Sequence, residues 1–203
     1  MSFVFFVVKK MKENPSAMEI EKTELEGVFI LRPRIFHDPR GFFLEAYRRD
    51  TFRNEINHAF VQDNLSYSKH GTLRGLHYQI KHPQAKLVQV IKGKIFDVIV
   101  DIRRGSSDYG KHMGVYLSGE TGEQLYIPKG FAHGFCVVSE EAYVLYKCSD
   151  YYHPEGERGL LWSDPDLKID WPTKKPILYP KDSQYPCLKD MADKELPRMK
   201  SVS

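Results

Sequence analysis

Cysteine is scarce in this chain of 203 residues, and the three cysteines present do not form a recognisable set. Cys136, Cys148 and Cys187 show no Cys-x-x-Cys spacing, and an odd number cannot pair completely, which argues against a disulfide framework. Reduced thiols are typical of proteins kept in the cytoplasm, so we expect a cytoplasmic protein.

The chain also lacks a large excess of charge of one sign and has no long hydrophobic run. The chain has 30 basic and 27 acidic residues and a formal net charge of +3, which offers no strong basic excess for nucleic acid. The apolar run at residues 3–8 is too short for a membrane span or a signal-peptide core, and its flanking charges follow it. We therefore expect neither a nucleic-acid partner nor a membrane.

The N-terminus is predicted to be an extension, residues 1–17, outside the fold. The following stretch, MEIEKTELEGVFILRP, begins like a strand, and its first residue, Met18, is a second possible start of the protein. An edge strand made by residues 3–8 is an equally weighted alternative. Residues 18–203 are expected to form a single domain whose C-terminal part, rich in Pro and Lys, is irregular.

Short runs of β-forming residues, separated by Gly, Pro and Asp, fill most of residues 27–152. Eight or more such strands without a long helical period predict an all-β fold, a sandwich or barrel of jelly-roll type. In VIKGKIFDV, Gly93 is expected to form a hairpin turn between two of the strands. Short helical pieces are expected at 49–57 and near 187–196. The predicted strand runs are GVFILRPRIF, GFFLEAY, AFVQDNLSYS, TLRGLHYQ, AKLVQVIKG, KIFDVIVDIR, KHMGVYLS, QLYIPKGFAHGFCVV and AYVLYKCSDYY.

The sequence lacks the motifs of the common catalytic and cofactor sites. There is no G-x-S-x-G, no G-x-G-x-x-G and no phosphate-binding loop, and no cysteine has an activating context. Small β-barrel metalloenzymes often carry His-x-His on one strand face, but Gln79 stands two positions after His77. The segment PKGFAHGF adds only His133. We expect no catalytic metal and no cofactor.

The stretch TLRGLHYQ places a cation, a glycine and an imidazole within four positions of one predicted strand. Side chains alternate between the two faces of a strand, so Arg74 and His77, three residues apart, are expected on opposite faces. A bulge at Gly75 would bring both into one cavity suited to acid–base chemistry and anion binding. A hydrogen-bonded core histidine beside a surface arginine remains the alternative from these residues alone.

Several longer motifs resemble the dTDP-4-dehydrorhamnose 3,5-epimerase family, in order and spacing, from about residue 18 to 186. They are DPRGFFLEAY, FVQDNLSYS, RGLHYQ, PQAKLVQVIKGKIFDVIVDIR, IPKGFAHGF and YKCSDYYHPEGERGLLWSDPDLKIDWP. The resemblance implies a cupin-type jelly roll that uses no metal and works as a homodimer. The implied substrate is a dTDP-linked 4-keto-6-deoxyhexose, in which two stereocentres beside the ketone are inverted through an enolate.

The resemblance also implies catalytic roles. His77 is the implied base, with Asp182 holding its tautomer. Tyr146 is the implied acid on the opposite face, and a tyrosine with a pKa near ~10 is protonated at neutral pH. Lys86 is expected to place its ammonium near the C4 oxygen, together with Arg74.

The remaining matched residues are expected to bind the substrate. The paired charged bonds of an arginine suit phosphate oxygens, and an aromatic ring suits the thymine base. Tyr152 is expected to stack on the thymine, although its neighbour Tyr151 is the alternative. Phe42 and Phe43 are interpreted as core residues. The implied binding residues are His133, Arg40, Glu45, Gln62, Asp63, Asn64, Tyr152, Glu157 and Lys181, of which Asp63 has a structural alternative.

Related activities remain open at this point. Relatives of this family invert only one carbon or act as 3,4-ketoisomerases on related dTDP-keto sugars. A catalytically silent sugar-nucleotide-binding protein is the alternative from another class. The presence of His77, Tyr146 and Lys86 together favours the double epimerase.

Overall fold

The computed structural model describes residues 18–50, 56 and 58–199. The all-β expectation is confirmed, because strands connected by loops and single-turn 3-10 helices make up the regular structure of this part of the chain. The strands are β1 (Glu19–Lys22), β2 (Phe29–Arg32), β3 (Ile35–Asp38), β4 (Gly41–Leu44), β5 (Gln62–Lys69), β6 (Leu73–Gln79), β7 (Lys86–Lys92), β8 (Lys94–Asp101), β9 (His112–Ser118), β10 (Gln124–Ile127), β11 (Phe131–Val137), β12 (Glu141–Cys148) and β13 (Glu157–Gly159). The 3-10 helices are Pro154–Gly156, Pro180–Ser183, Leu188–Asp190 and Asp193–Glu195.

Two sheets form the body of the sandwich. The larger has six strands in the order β1-β2-β10-β7-β12-β5, and the smaller has five in the order β13-β6-β11-β8-β9. All of the strand pairs in both sheets are antiparallel. Because most neighbouring strands, apart from the pairs β1–β2 and β8–β9, are far apart in sequence, residues from distant motifs meet inside the sandwich.

Strand β8 is buried on both of its faces, which explains its nearly continuous apolar sequence. Ile95 and Ile99 belong to the core between the two sheets. Val98 and Val100, on the other face, pack in a second core with residues of the C-terminal segment. That segment therefore covers the outer face of the five-stranded sheet, despite having little regular structure. Its buried contributors include Leu160, Leu167, Trp171, Leu188, Met191 and Leu196.

The prediction of a hairpin turn at Gly93 is wrong. Strands β7 and β8, on either side of this residue, belong to different sheets, so the chain crosses there from one layer of the sandwich to the other. Gly93 has a φ of +86°, and a Cβ at this position would lie 2.0 Å from the carbonyl oxygen of Glu141. Only glycine allows both the positive φ and the close approach of the backbone at this position. A glycine between two predicted strands is also the pattern of a hairpin turn, which explains the wrong prediction.

The helical predictions have mixed outcomes. Near 187–196, two separate 3-10 helices replace the single short helix that was expected. The helix-like piece at 49–57 and the whole of 1–17, with its two alternatives, fall largely or entirely outside the described residues. No helix within the described ranges is long and apolar enough to cross a membrane.

Strands β3 and β4 form a separate two-stranded hairpin rather than joining either sheet. The expectation that Phe42 and Phe43 are core residues is wrong for this single chain, since they are 63% and 70% exposed. A run of apolar residues in a strand predicts surfaces that will be covered, but it does not say whether the same chain covers them.

Candidate active site

The bulge predicted at Gly75 is present in β6. His133 and Phe135 of β11 are two residues apart, yet they pair with His77 and Arg74, which are three residues apart. Gly75 has a φ of +107°, and a Cβ on it would lie 2.6 Å from the carbonyl oxygen of His133. The bulge turns Arg74 and His77 into the same cavity, as the sequence predicts.

The cavity opens between the two sheets at the end where the C-terminal segment crosses β6. It has a volume of about 480 Å³, which is within the size range of small-molecule sites. Residues of the five-stranded sheet form one wall, and residues of the six-stranded sheet form the other. The lining groups used below are Arg74, His77, Lys86, His133, Tyr146 and Asp182.

His77 and Asp182 form a hydrogen-bonded pair. The imidazole Nε2 lies 2.7 Å from Oδ1 of the carboxylate, and Asp182 is only 3% exposed. The backbone N–H of Gly75 donates to the other carboxylate oxygen, at 3.4 Å. The ring of Tyr185 contacts the imidazole edge to face, with the centroids 5.7 Å apart. This arrangement fixes the orientation of the imidazole and leaves Nδ1 as its second, unbonded ring nitrogen.

Tyr146 and Lys86 stand on adjacent strands of the opposite sheet, β12 and β7. The lysine Nζ lies 5.9 Å from the centroid of the tyrosine ring. Burial raises the pKa of the Tyr146 phenol, which keeps its proton in place at neutral pH. Burial lowers the pKa of the Lys86 ammonium, so this group gives up a proton more readily than an exposed lysine.

A second histidine–carboxylate pair lies in the same cavity. His133 Nε2 is 3.0 Å from both carboxylate oxygens of Asp97, and the two side chains are 7% and 0% exposed. Burial lowers the pKa of His133, while the neighbouring carboxylate acts in the opposite direction. Sequence reasoning missed Asp97, although a carboxylate in the apolar run KIFDVIVDIR was a usable signal, because a buried charge needs a partner.

A second lobe of about 290 Å³ continues from the main cavity and shares His77, Lys86 and Tyr146 with it. Gln62 and Asn64 line this lobe and are hydrogen-bonded to each other, and Tyr152 and Glu157 line it as well. The backbone N–H of Tyr152 donates to Oε1 of Gln62, at 2.9 Å. Tyr151 does not line the lobe, so the position of the ring favours Tyr152 for stacking on a base.

Four predicted binding residues do not line the two lobes in this chain. Asp63 points to the opposite face of β5 from Gln62 and pairs with Lys147 at 2.8 Å, as strand alternation dictates. Lys181 pairs with Glu157, and this hydrogen bond raises the lysine pKa. The other two are on or beside the separate hairpin, where Arg40 pairs with Asp38 and Glu45 pairs with Arg48.

A jelly-roll sandwich that presents an oriented imidazole on one wall of a cavity, and a protonated phenol beside a desolvated lysine on the other, is typical of carbon-acid isomerases. The family model described as dTDP-4-dehydrorhamnose 3,5-epimerase matches residues 22–190. The chain belongs to this family.

Individual relatives agree with the family assignment. The chain is 51% identical over 167 residues to a dTDP-4-dehydrorhamnose 3,5-epimerase of Neisseria gonorrhoeae, covering 81% of this chain but only about half, 51%, of that protein. It is 49% identical over 168 residues to the Shigella flexneri enzyme of the same name, covering 81% of this chain and 93% of that one. A crystal structure of the 3,5-epimerase of Legionella pneumophila with dTDP-4-keto-L-rhamnose has a TM-score of 0.89 and 47% identity, covering 91% of this chain and 100% of that one.

Proposed function

We propose that this chain inverts C3 and C5 of dTDP-4-dehydro-6-deoxy-D-glucose to give dTDP-4-dehydro-L-rhamnose, a step of dTDP-L-rhamnose biosynthesis. The observation that carries the proposal is the placement of a proton acceptor and a proton donor on opposite walls of one cavity. His77, paired with Asp182, stands on the five-stranded sheet, and Tyr146 stands on the six-stranded sheet. Inversion of a stereocentre requires removal of a proton from one face and delivery to the other.

His77 is the proposed base. A C–H bond beside a ketone is acidic because the resulting carbanion delocalises into an enolate, and an imidazole can accept that proton. The short contact between Nε2 and Asp182 directs one ring N–H to the carboxylate and leaves the Nδ1 lone pair for the substrate. When the imidazolium forms, the buried carboxylate stabilises its charge.

Lys86 is proposed to stabilise the negative charge that develops on the C4 oxygen of the substrate. An ammonium in a desolvated cavity interacts with an enolate much more strongly than one in water, and its lowered pKa favours sharing a proton with that oxygen. Arg74 adds a second positive charge to the same cavity, held by its bond from Nε to Ser68 at 2.9 Å. His133, positioned by Asp97, is proposed to hydrogen-bond the sugar.

The smaller lobe is proposed to hold the dTDP portion of the substrate. Tyr152 offers a ring for the thymine base, and Gln62 and Asn64 offer amide groups for polar atoms of the nucleotide. Glu157 lies at the same lobe, with Lys181 as its ion-pair partner. Neither lobe contains the arginine that the resemblance implies for the diphosphate.

We propose that this arginine, Arg40, reaches the site of a second copy of the chain in a homodimer, together with Glu45. The exposed hairpin rings of Phe42 and Phe43 give this part of the chain an apolar surface that a partner would cover. The outward face of edge strand β5 exposes Leu65 and further apolar side chains, and a second copy of the chain could cover this face too. Asp63, on this face, then has its ion pair with Lys147 as a structural role.

Subunit mixing tests the shared site. Refolded mixtures of His77→Ala and Arg40→Ala chains are expected to recover about a quarter of wild-type activity, since half of random dimers are heterodimers with one complete site. Mixing Arg40→Ala with Glu45→Ala is the matched control, because both changes lie on the donated hairpin and no site is complete. Absence of recovery in verified His77→Ala/Arg40→Ala heterodimers would mean that each site is built from one chain.

Proton NMR in D2O tests the proposed reaction itself. With dTDP-4-dehydro-6-deoxy-D-glucose as substrate, the wild-type chain is expected to introduce deuterium at both C3 and C5 and to form the L-rhamno product. Label at one carbon only would identify a single-carbon epimerase. Binding of the substrate without any exchange would instead identify a sugar-nucleotide-binding protein and overturn the proposal.

We place this activity in the cytoplasm. All three cysteines, Cys136, Cys148 and Cys187, have free thiols in the described part of the chain. This state is the normal one in a reducing compartment. The proposed substrate, a nucleotide sugar, is consistent with the same compartment.

A further inference from the structure

We propose that this chain binds a divalent transition-metal ion, of the zinc class, at a site made by His82, Asp150 and His153. One ligand atom from each of these side chains lies within 4.8 Å of the other two. None of the three lines either lobe of the catalytic cavity, so the site is separate from the proposed proton-transfer groups. The proposal also does not depend on the proposed reaction.

The donor set suits such an ion. Imidazole nitrogens and a carboxylate oxygen bind zinc at about 2.0–2.2 Å, and two histidines with one carboxylate are a common three-ligand set that leaves a fourth position for water. Tetrahedral bonds of this length place ligand atoms about 3.3 Å apart, so side-chain movements of about 1 Å would close the site. The three side chains are about one third to one half exposed, which allows both this movement and access of the ion.

The two imidazoles already lie face to face. The rings of His82 and His153 are stacked, with centroids 3.9 Å apart and an angle of 23° between their planes. The lone pair of each ring nitrogen lies in its ring plane, so one of the two stacked rings has to rotate before both can bind the same ion. His82 Nδ1 also lies 3.9 Å from Oδ2 of Asp150. The two imidazoles and the carboxylate therefore bring three possible metal-ligand atoms within 4.8 Å of one another.

The backbone holds the two ligand-bearing loops together. One clamp joins Ala85 and Ser149 through hydrogen bonds in both directions, at 2.8 and 3.0 Å. The other joins the N–H of Ile80 to the carbonyl oxygen of Gly156, at 2.9 Å. The three proposed ligands lie between these clamps, so an ion would not have to bring the loops together from a distance.

The residues next to the ligands restrict them further. Both histidines precede a proline, which disfavours helical conformation, and His153 is extended, with φ −123° and ψ 109°. Oδ1 of Asp150 accepts the N–H of Tyr151 at 2.9 Å, which leaves Oδ2 for the ion. Glu155 lies 3.6 Å from His153 Nδ1, where its carboxylate can accept the ring N–H or supply a fourth ligand.

The site is tested by titrating the untagged, metal-free chain with Zn²⁺ in a calorimeter, and with Co²⁺ while the visible absorption of tetrahedral cobalt is recorded. We expect one equivalent to bind to the wild-type chain. His82→Ala and His153→Ala are each expected to lose more than tenfold in affinity, because even partners outside the coordination shell contribute 10–100-fold. His70→Ala, which removes an exposed histidine elsewhere, is the matched control and should retain the wild-type affinity.

Two results would overturn the proposal. One is the absence of stoichiometric binding of both ions to the wild-type chain. The other is binding that survives in the His82→Ala/His153→Ala double variant, which would place the ion elsewhere, for example at His77 and His133. Melting curves without metal show whether each variant is folded, so lost binding can be distinguished from lost structure.

Discussion

Replacing His77 by alanine is expected to slow the exchange of the C3 and C5 hydrogens with solvent by roughly 10²–10⁴-fold, the range contributed by a general base. The imidazole is the proposed proton acceptor, and Asp182 is itself buried, with its oxygens directed to His77 and to the N–H of Gly75. Binding of dTDP should remain close to normal, because the proposed partners of the nucleotide in the smaller lobe are Gln62, Asn64 and Tyr152, and His77 only borders that lobe. Deuterium uptake followed by NMR measures the first quantity, and calorimetry with dTDP measures the second.

His70→Ala is the matched control for this experiment as well, since it removes an imidazole from the surface without changing the cavity. Asp182→Asn keeps the shape of the partner but removes the charge that stabilises the imidazolium and the acceptor that fixes its tautomer, so its exchange rate should fall well below that of wild type. A His77→Ala chain that keeps more than about a tenth of the wild-type exchange rate would contradict the assignment of the base.

Replacing Tyr146 by phenylalanine is expected to separate proton removal from inversion. His77 can still abstract a proton, but delivery to the opposite face is lost, so inverted product should fall by roughly 10²-fold or more. Deuterium can then enter the starting sugar with retained configuration, because the base returns the label to the face from which the proton came. NMR in D2O distinguishes labelled starting material from labelled product in one spectrum.

The competing interpretation makes Tyr146 a packing residue, since its ring lies against the core between the sheets. On that interpretation the phenylalanine variant would lose little except the environment of one hydroxyl group, and inversion would proceed almost normally. Tyr143→Phe, three residues earlier on the same strand and outside the cavity lining, is the matched control. Inversion of C5 by Tyr146→Phe at close to the wild-type rate would leave the acid unidentified.

Local sequence patterns predicted much of the fold and part of the site. Alternation and turn residues located the central strands, because each strand has to match one or two apolar surfaces. A bulge at Gly75 was a hypothesis from the residues alone, and the family resemblance favoured it, because strand alternation separates Arg74 from His77. Alternation alone also separates Asp63 from its neighbours Gln62 and Asn64.

Contacts between distant segments were not predictable from local patterns. The turn at Gly93 has the composition of a hairpin, but the choice of sheet depends on which other strands compete for the edges. Asp97 meets His133 only because β8 and β11 pair. The rings of Phe42 and Phe43 obey a strand pattern, yet the sequence does not state whether their cover comes from the same chain.

The His77–Asp182 contact joins residues that are 105 positions apart in the chain. Asp182 is delivered by the C-terminal segment, which is anchored where Ile177 exchanges backbone hydrogen bonds with Gly71 and Leu73. During synthesis, the strands of both sheets leave the ribosome before this segment does, and domains generally complete folding as units. Until that segment has emerged, His77 lacks the carboxylate that fixes its orientation. The proposed proton abstraction can therefore begin only after residue 182 has been made and has folded against β6.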